Sequence, residues 1–197
     1  MRRILAAVPL ISGLLIAAAV AGEPAKEAPA DPKKAADLQK VHQYMAAECF
    51  NQCWTLIDKT DRSDEEDESM LLLAYASLSH WKQRGDCKPM NLSIGYWQVS
   101  RVHALLGQYE MAKLFGEKCL KVGQESKLQP FYVGYAHEAL ARAAILHQDF
   151  AAARAHLAKA RKELASVTDK EARGLLSTDV ATLEKAIPAK AEAGGGK

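Results

Sequence analysis

Two sets of three residues in the middle of the chain carry side chains that could bind a ligand. The six residues are Ile94, Trp97, Arg101, Tyr135, Glu138 and Arg142. Within each set the spacing is three or four residues, so each set shares one helical face. Arginine forms paired hydrogen bonds with carboxylates, and aromatic rings give flat apolar contact. The pattern predicts a face that binds an extended peptide. The alternative is that Arg101 pairs with Glu138 across neighbouring helices while Trp97 lies in the core.

Histidines are the second group of candidates. His103 and His137 occupy inward positions and, with Glu138 and Arg101, could line a polar pocket of a carrier or an enzyme. Buried, hydrogen-bonded histidines are the favoured interpretation. The chain has no G-x-S-x-G, H-E-x-x-H, P-loop or Rossmann glycine pattern. We therefore expect a protein that is not an enzyme.

The four cysteines allow few cross-links. Cys49 and Cys53 lie one helical turn apart, and a direct bridge between them would be strained. A disulfide between Cys49 and Cys87 is geometrically possible, whereas Cys119 is expected to be a buried thiol. His42 shares a stripe with Cys49 and Cys53, but zinc sites use four ligands and no fourth is evident. No metal or other cofactor is predicted.

The N-terminal segment is typical of a secretory signal peptide. Residues 1–21 combine Arg2 and Arg3, a long apolar run and a terminal Ala-Val-Ala. We expect cleavage and a periplasmic or secreted product; an uncleaved N-terminal anchor is the less favoured alternative. The formal net charge of +2 comes from these two arginines. A neutral mature chain lacks the basic excess with which nucleic-acid binders neutralise phosphates, so no nucleic-acid partner is expected. It also has no second long apolar run, so no membrane span is expected.

The mature chain divides into a helical domain and two loose ends. Residues 22–35 are rich in Ala, Pro and Lys and predict a flexible linker, and residues 188–197 predict a disordered tail. Residues 36–187 show helical periodicity without strand-like alternation. The predicted helices are 36–58, 65–84, 91–106, 109–125, 130–147, 149–167 and 170–187. Ser63 and Thr168 are each followed by Glu three residues later, which indicates capping boxes, and Asn91 is a predicted N-cap.

An internal repeat is the strongest structural signal. Residues 96–120 align without gaps with residues 137–161, at a spacing of 41 residues. An aromatic residue follows the turn in each copy, at Tyr109 and Phe150, and a small residue follows three positions later. Small residues let antiparallel helices approach closely. The last predicted helix carries an apolar stripe that would close the open end of the stack: Leu175, Leu176, Val180, Leu183 and Ile187.

These features resemble the tetratricopeptide repeat, with its L-G-x-Y…A turn at Leu106–Ala112. The chain is also similar to an uncharacterised exported bacterial family with Trp-Gln-x-Ser-Arg-Val and Tyr-Ala-x-Glu-Ala-Leu-Ala-Arg-Ala blocks. The resemblance implies an all-α fold of antiparallel helix hairpins stacked as a short tetratricopeptide-like α-solenoid of about seven helices. We expect an exported, non-catalytic module that binds a protein or peptide on its concave face. The alternatives are a small-molecule carrier or enzyme with the histidine pocket, or a structural subunit of an envelope complex.

Overall fold

The computed structural model describes residues 31–188. Within this range the chain forms seven α-helices and no strand, which confirms the predicted fold class. The helices are α1 (Pro32–Ile57), α2 (Asp64–Gln83), α3 (Pro89–Leu105), α4 (Tyr109–Glu125), α5 (Pro130–Leu146), α6 (Phe150–Ala165) and α7 (Lys170–Ala186). None of these helices is both long enough and apolar enough to cross a bilayer.

Local side-chain chemistry sets where the helices begin. Ser63 and Glu66 form the predicted capping box: the Ser63 hydroxyl accepts from the Glu66 N–H, and the Glu66 carboxylate accepts from the Ser63 N–H at 2.9 Å. The other two caps predicted from the sequence are wrong, because a different residue occupies the N-cap position. Asn91 is the third residue of α3 and accepts from the Lys88 N–H at 3.0 Å, because Pro89 takes the first helical position. Asp169, rather than Thr168, caps α7.

The ends of the domain differ slightly from the prediction. Helix α1 begins at Pro32, so the last residues of the predicted linker 22–35 are helical. Proline suits a first helical turn because its missing N–H would have no intrahelical partner there. The chain leaves α7 after Ala186, as the following Pro188 predicts. The predicted signal peptide 1–21, the rest of the linker and residues 189–197 lie outside the described residues.

The structure confirms that the repeat builds two equivalent turns. Gly107 has φ +72°, and Gln148, its counterpart in the second copy, adopts the same left-handed conformation with φ +60°. Left-handed backbone costs a non-glycine residue about 1 kcal/mol, so the hairpin geometry outweighs this local preference at Gln148. The small residues predicted to sit between the paired helices are buried: Ala112, Cys119, Ala153 and Ala160.

The helices pack as three hairpins followed by α7. Each pair α1–α2, α3–α4 and α5–α6 forms an extensive interface, and α2, α4 and α6 also pack against the first helix of the next unit. The first helix of each hairpin and α7 contact one another in succession: α1 with α3, α3 with α5, and α5 with α7. These four helices form one continuous layer, which we call the layer of first helices. This arrangement is that of a short α-solenoid. It places residues from four different helices on the same layer.

Helix α7 closes the end of the stack with most of its predicted stripe. Leu176, Val180 and Leu183 are buried against α5 and α6, as predicted. Leu175 differs from the prediction because its side chain is 55% exposed. Consecutive helical residues point about 100° apart, so Leu175 cannot share the inward direction that Leu176 occupies.

Candidate functional site

A cavity of about 440 Å³ lies along the layer of first helices. Its wall is mainly aromatic, with rings contributed by α1, α3 and α5: Trp54, Trp97, Phe131, Tyr132 and Tyr135. Ile94 and Leu175 add aliphatic surface, and Arg101, Asp58 and Asp179 are its charged residues. Its volume falls within the range of sites that bind small molecules or single large side chains. We refer to it as the aromatic cavity.

The rings of the aromatic cavity hold one another in place. The Trp97 ring centroid lies 5.6 Å from that of Trp54 and 5.1 Å from that of Tyr135, with the second pair edge-to-face. Phe131 meets Tyr135 edge-to-face at 5.0 Å. The contacts of Trp97 with Trp54 and with Tyr135 join neighbouring helices of the layer, whereas that of Phe131 with Tyr135 lies within α5. Ring pairs of this kind stabilise the packing of the layer. The cavity wall is therefore a fixed surface rather than a set of independent side chains.

Arg101 is the cation of the aromatic cavity, and its charge is incompletely compensated. Its Nη1 lies 3.9 Å from Glu138 Oε1 and 4.0 Å from Asp179 Oδ1, beyond hydrogen-bond distance. Its Nε and Nη1 are buried and have no hydrogen-bond partner among the described residues. Burial lowers the pKa of Arg101, and the charge of Arg142 lowers it further, against the opposing effect of Glu138 and Asp179. Two buried donors are thus left without an acceptor, and the 18% of the side chain that stays exposed is the part that a ligand can reach.

Glu138 lies behind the cavity wall. Its side chain is 0% exposed, and its Oε2 accepts a hydrogen bond from Trp97 Nε1 at 3.0 Å. Its Oε1 accepts from Arg142 Nε at 3.0 Å and also from Arg142 Nη2. Because Trp97 and Glu138 are equivalent positions of the two repeat copies, adjacent first helices meet at matching positions. The carboxylate fixes the orientation of the Trp97 ring and neutralises Arg142.

Tyr135 and Asp179 form a second polar contact in the wall. The Tyr135 hydroxyl donates to Asp179 Oδ2 at 3.0 Å. Burial raises the pKa of Tyr135 well above its usual range, and the negative charge of Asp179 adds to this effect. The phenol therefore stays protonated and continues to donate to Asp179 at neutral pH. Asp179 also supplies the link between α7 and the residues of α3 and α5.

The six residues proposed from the sequence divide into two groups. Ile94, Trp97, Arg101 and Tyr135 line the aromatic cavity. Glu138 and Arg142 do not line it, which corrects their placement on an open binding face. Arg101 and Trp97 approach Glu138, as the structural alternative requires, and both also line the cavity.

Sequence reasoning missed eight of the twelve residues that line the cavity. Trp54 belongs to α1, which precedes the two aligned copies. Leu175 and Asp179 belong to α7, for which the sequence predicts only that it closes the stack. Phe131 and Tyr132 precede the aligned positions at the start of α5. The one available signal was the density of aromatic residues at 131–135. Their convergence depends on how the first helices stack.

The histidines do not form the alternative polar pocket. His103 Nε2 lies 2.8 Å from the Tyr75 hydroxyl, and its Nδ1 lies 2.5 Å from Gln108 Oε1. His137 Nδ1 lies 3.2 Å from His156 Nδ1. Neither His103 nor His137 lines the aromatic cavity, and both are buried. Burial lowers the pKa of His137 to about 4, with a contribution from His156.

The cysteines are four free thiols, so the Cys49–Cys87 disulfide considered from the sequence does not form. Cys119 is buried as predicted, with its Sγ 3.2 Å from the Ser93 carbonyl oxygen. Cys53 donates to the Met70 carbonyl at 3.5 Å. Across residues 31–188, no three His, Cys, Asp or Glu side chains are arranged to hold a metal ion.

No protein-family model matches the sequence, and the searches of curated proteins and of solved structures give no significant match.

Proposed function

We propose that this protein is an exported, non-catalytic binding module that holds a protein or peptide partner in its aromatic cavity. The observation that carries the proposal is the convergence of α1, α3, α5 and α7 on one cavity with aromatic walls and an incompletely paired arginine. Aromatic residues and arginine are the side chains that contribute most to binding energy at protein interfaces. The sequence resemblance to tetratricopeptide repeats supports the same class of function.

The chemistry of the cavity favours binding over catalysis. Cys119 is the one cysteine among the lining residues, and its thiol donates a hydrogen bond to the Ser93 carbonyl oxygen. Burial raises the pKa of this thiol to about 12. A thiolate nucleophile is therefore not formed near neutral pH. The phenol of Tyr135 is held protonated by the same kind of burial. The remaining groups can hold a ligand by apolar contact, charge and hydrogen bonds.

Export is proposed from the first 21 residues alone. Their basic start, apolar run and Ala-Val-Ala ending are those of a secretory signal peptide. A periplasmic or secreted module would meet its partner outside the cytoplasm. Detecting the mature N-terminus at Gly22 in the exported fraction would support this part of the proposal, and retention of residues 1–21 would contradict it.

Blocking the cavity tests the proposed function. Leu175 lines the cavity and is 55% exposed, whereas Leu72 is 63% exposed on α2 and is not among the lining residues. Peptides would be selected from a random displayed library on the purified mature protein and measured by fluorescence polarisation. Leu175→Trp is expected to abolish their binding, whereas Leu72→Trp is a matched control that leaves binding intact. Selected peptides that bind Leu175→Trp as well as the natural protein would disprove the proposal.

A further inference from the structure

We infer that the aromatic cavity takes a peptide in which a large apolar side chain stands next to a carboxylate, with Arg101 as the carboxylate's partner. This inference rests on the proposed function and names the chemistry of the partner. It starts from two N–H groups of Arg101, Nε and Nη1, which are buried and unbonded within the described structure. Leaving such donors without an acceptor costs free energy. A carboxylate that meets the exposed 18% of the Arg101 side chain in the cavity supplies the charge-assisted acceptor that this guanidinium lacks.

The nearby acids are already engaged. Glu138 accepts from Trp97 and Arg142, and its nearest oxygen is 3.9 Å from Arg101. Asp179 accepts from Tyr135 and lies 4.0 Å from Arg101. The charges of Arg101, Arg142, Glu138 and Asp179 sum to zero, but the hydrogen bonds of both carboxylates go to other donors. A ligand carboxylate would give Arg101 the short, charge-assisted bonds that it lacks.

A cationic ligand is the main competitor, because Asp58 and Asp179 also line the cavity. Aromatic cages bind cations through free ring faces. Here the Arg101 Cζ already lies 5.7 Å from the Trp54 ring centroid and 5.9 Å from that of Trp97. A second cation would meet a like charge on those faces. The charge of Arg101 beside the two tryptophan rings therefore disfavours a cation on those faces and leaves a carboxylate as the group that the guanidinium can bind.

The position of Arg101 also restricts where the carboxylate stands on the partner. The guanidinium lies beside the tryptophan rings, so the anionic group and the apolar group must be adjacent. A cavity of about 440 Å³ holds one large side chain with its neighbouring carboxylate. Such a pair arises at a free C-terminus with an apolar last residue, or where an apolar residue precedes an internal Glu or Asp.

Matched peptides on the mature protein test the inference. The probes are fluorescein-labelled Gly-Ser-Gly-Ser-X acids with X as Phe, Leu or Trp, their C-terminal amides, and Gly-Ser-X-Glu-Gly-Ser amides with their Gln counterparts. At least one carboxylate form is expected to bind about tenfold or more tightly than its uncharged match, which corresponds to one charge-assisted hydrogen bond. The two series identify whether the chain terminus or the acidic side chain supplies the carboxylate.

Variants of Arg101 test whether this side chain causes the preference for peptide acids over amides. Arg101→Gln is expected to remove the difference between acid and amide, and Arg101→Lys to retain a smaller one, since lysine keeps the charge without the planar pair of donors. If Arg101→Gln does not fold, judged by its thermal melt, the acid–amide comparison on the natural protein decides alone.

Four outcomes would overturn the inference. Equal binding of acids and amides that is still lost in Leu175→Trp would refute the carboxylate while leaving the proposed function intact. Tighter binding of a Gly-Ser-X-Lys-Gly-Ser amide would indicate a cationic partner. Binding of 3-phenylpropionate as tight as that of the peptide acids would indicate a small carboxylic acid instead of a peptide. Absence of cavity-dependent binding by every probe would refute the inference together with the proposed function.

Discussion

Replacing Glu138 by Gln is the sharpest perturbation of the site, because one buried carboxylate serves two helices. The substitution keeps the shape of the side chain and an acceptor for Trp97 Nε1, but it removes the charge that Arg142 and Arg101 face. Breaking a buried ion pair by removing one partner costs about 3–5 kcal/mol, since an uncompensated charge stays in a low-dielectric environment. We expect the free energy of unfolding to fall by an amount in that range.

Urea unfolding followed by far-ultraviolet circular dichroism measures this loss. The matched control is Glu117→Gln, which removes an exposed acid paired with Lys113 at the same four-residue spacing. The control is expected to cost less than about 0.5 kcal/mol because exposed pairs are screened by water. A loss below about 1 kcal/mol for Glu138→Gln would refute the reasoning, since it would mean that water or rearrangement compensates Arg142. A double-mutant cycle with Arg142→Gln isolates the pair itself.

Three further predictions address the repeat, the histidines and the thiols. Gly107→Ala should lower the free energy of unfolding by about 1 kcal/mol, and Gln148→Gly should raise it by up to a similar amount, because both positions have a left-handed backbone. Urea titrations in which both substitutions change the free energy of unfolding in the same direction would contradict this. His137 binds its proton with a pKa of about 4 when folded but near 6.5 when unfolded, so its contribution to stability is complete above pH 6.5 and is lost as the pH falls toward 4. Urea midpoints across this range should decline less in His137→Gln, and an unchanged decline would reject the assignment. A thiol reagent should label partly exposed Cys87 well before buried Cys119, and equal rates without denaturant would contradict the packing.

Local rules account for what the sequence predicted correctly. The seven helices, the capping box at Ser63 and the turns at Gly107 and Gln148 depend on residues within a few positions of one another. The repeat adds a longer-range inference, because equivalent turns and small residues imply equivalent hairpins. The errors at α3 and α7 are local too. At α7 the adjacent Thr168 and Asp169 could each cap the helix, and at α3 Pro89 takes the first helical position, so Asn91 lies inside the first turn.

The stacking of the first helices determines which of the six predicted residues face a ligand. Trp97 and Glu138 occupy matching positions in the sequence, and from the sequence alone they appear on one continuous face. In the fold, α3 and α5 approach so closely that these matching positions contact each other. One of the two must then lie inside. The indole N–H needs a buried acceptor, so the carboxylate lies inside and the ring faces the cavity.

The sequence by itself thus determined an all-helical repeat and an Arg-containing aromatic face, because periodicity and turn chemistry are local properties. Only the tertiary structure decided that part of this face lines one cavity together with residues of α1 and α7. Trp54 comes from one end of the chain and Asp179 from the other, and no spacing relates them to Arg101. Their convergence follows from the angles at which successive first helices pack, and those angles are fixed by the volumes of the side chains between them.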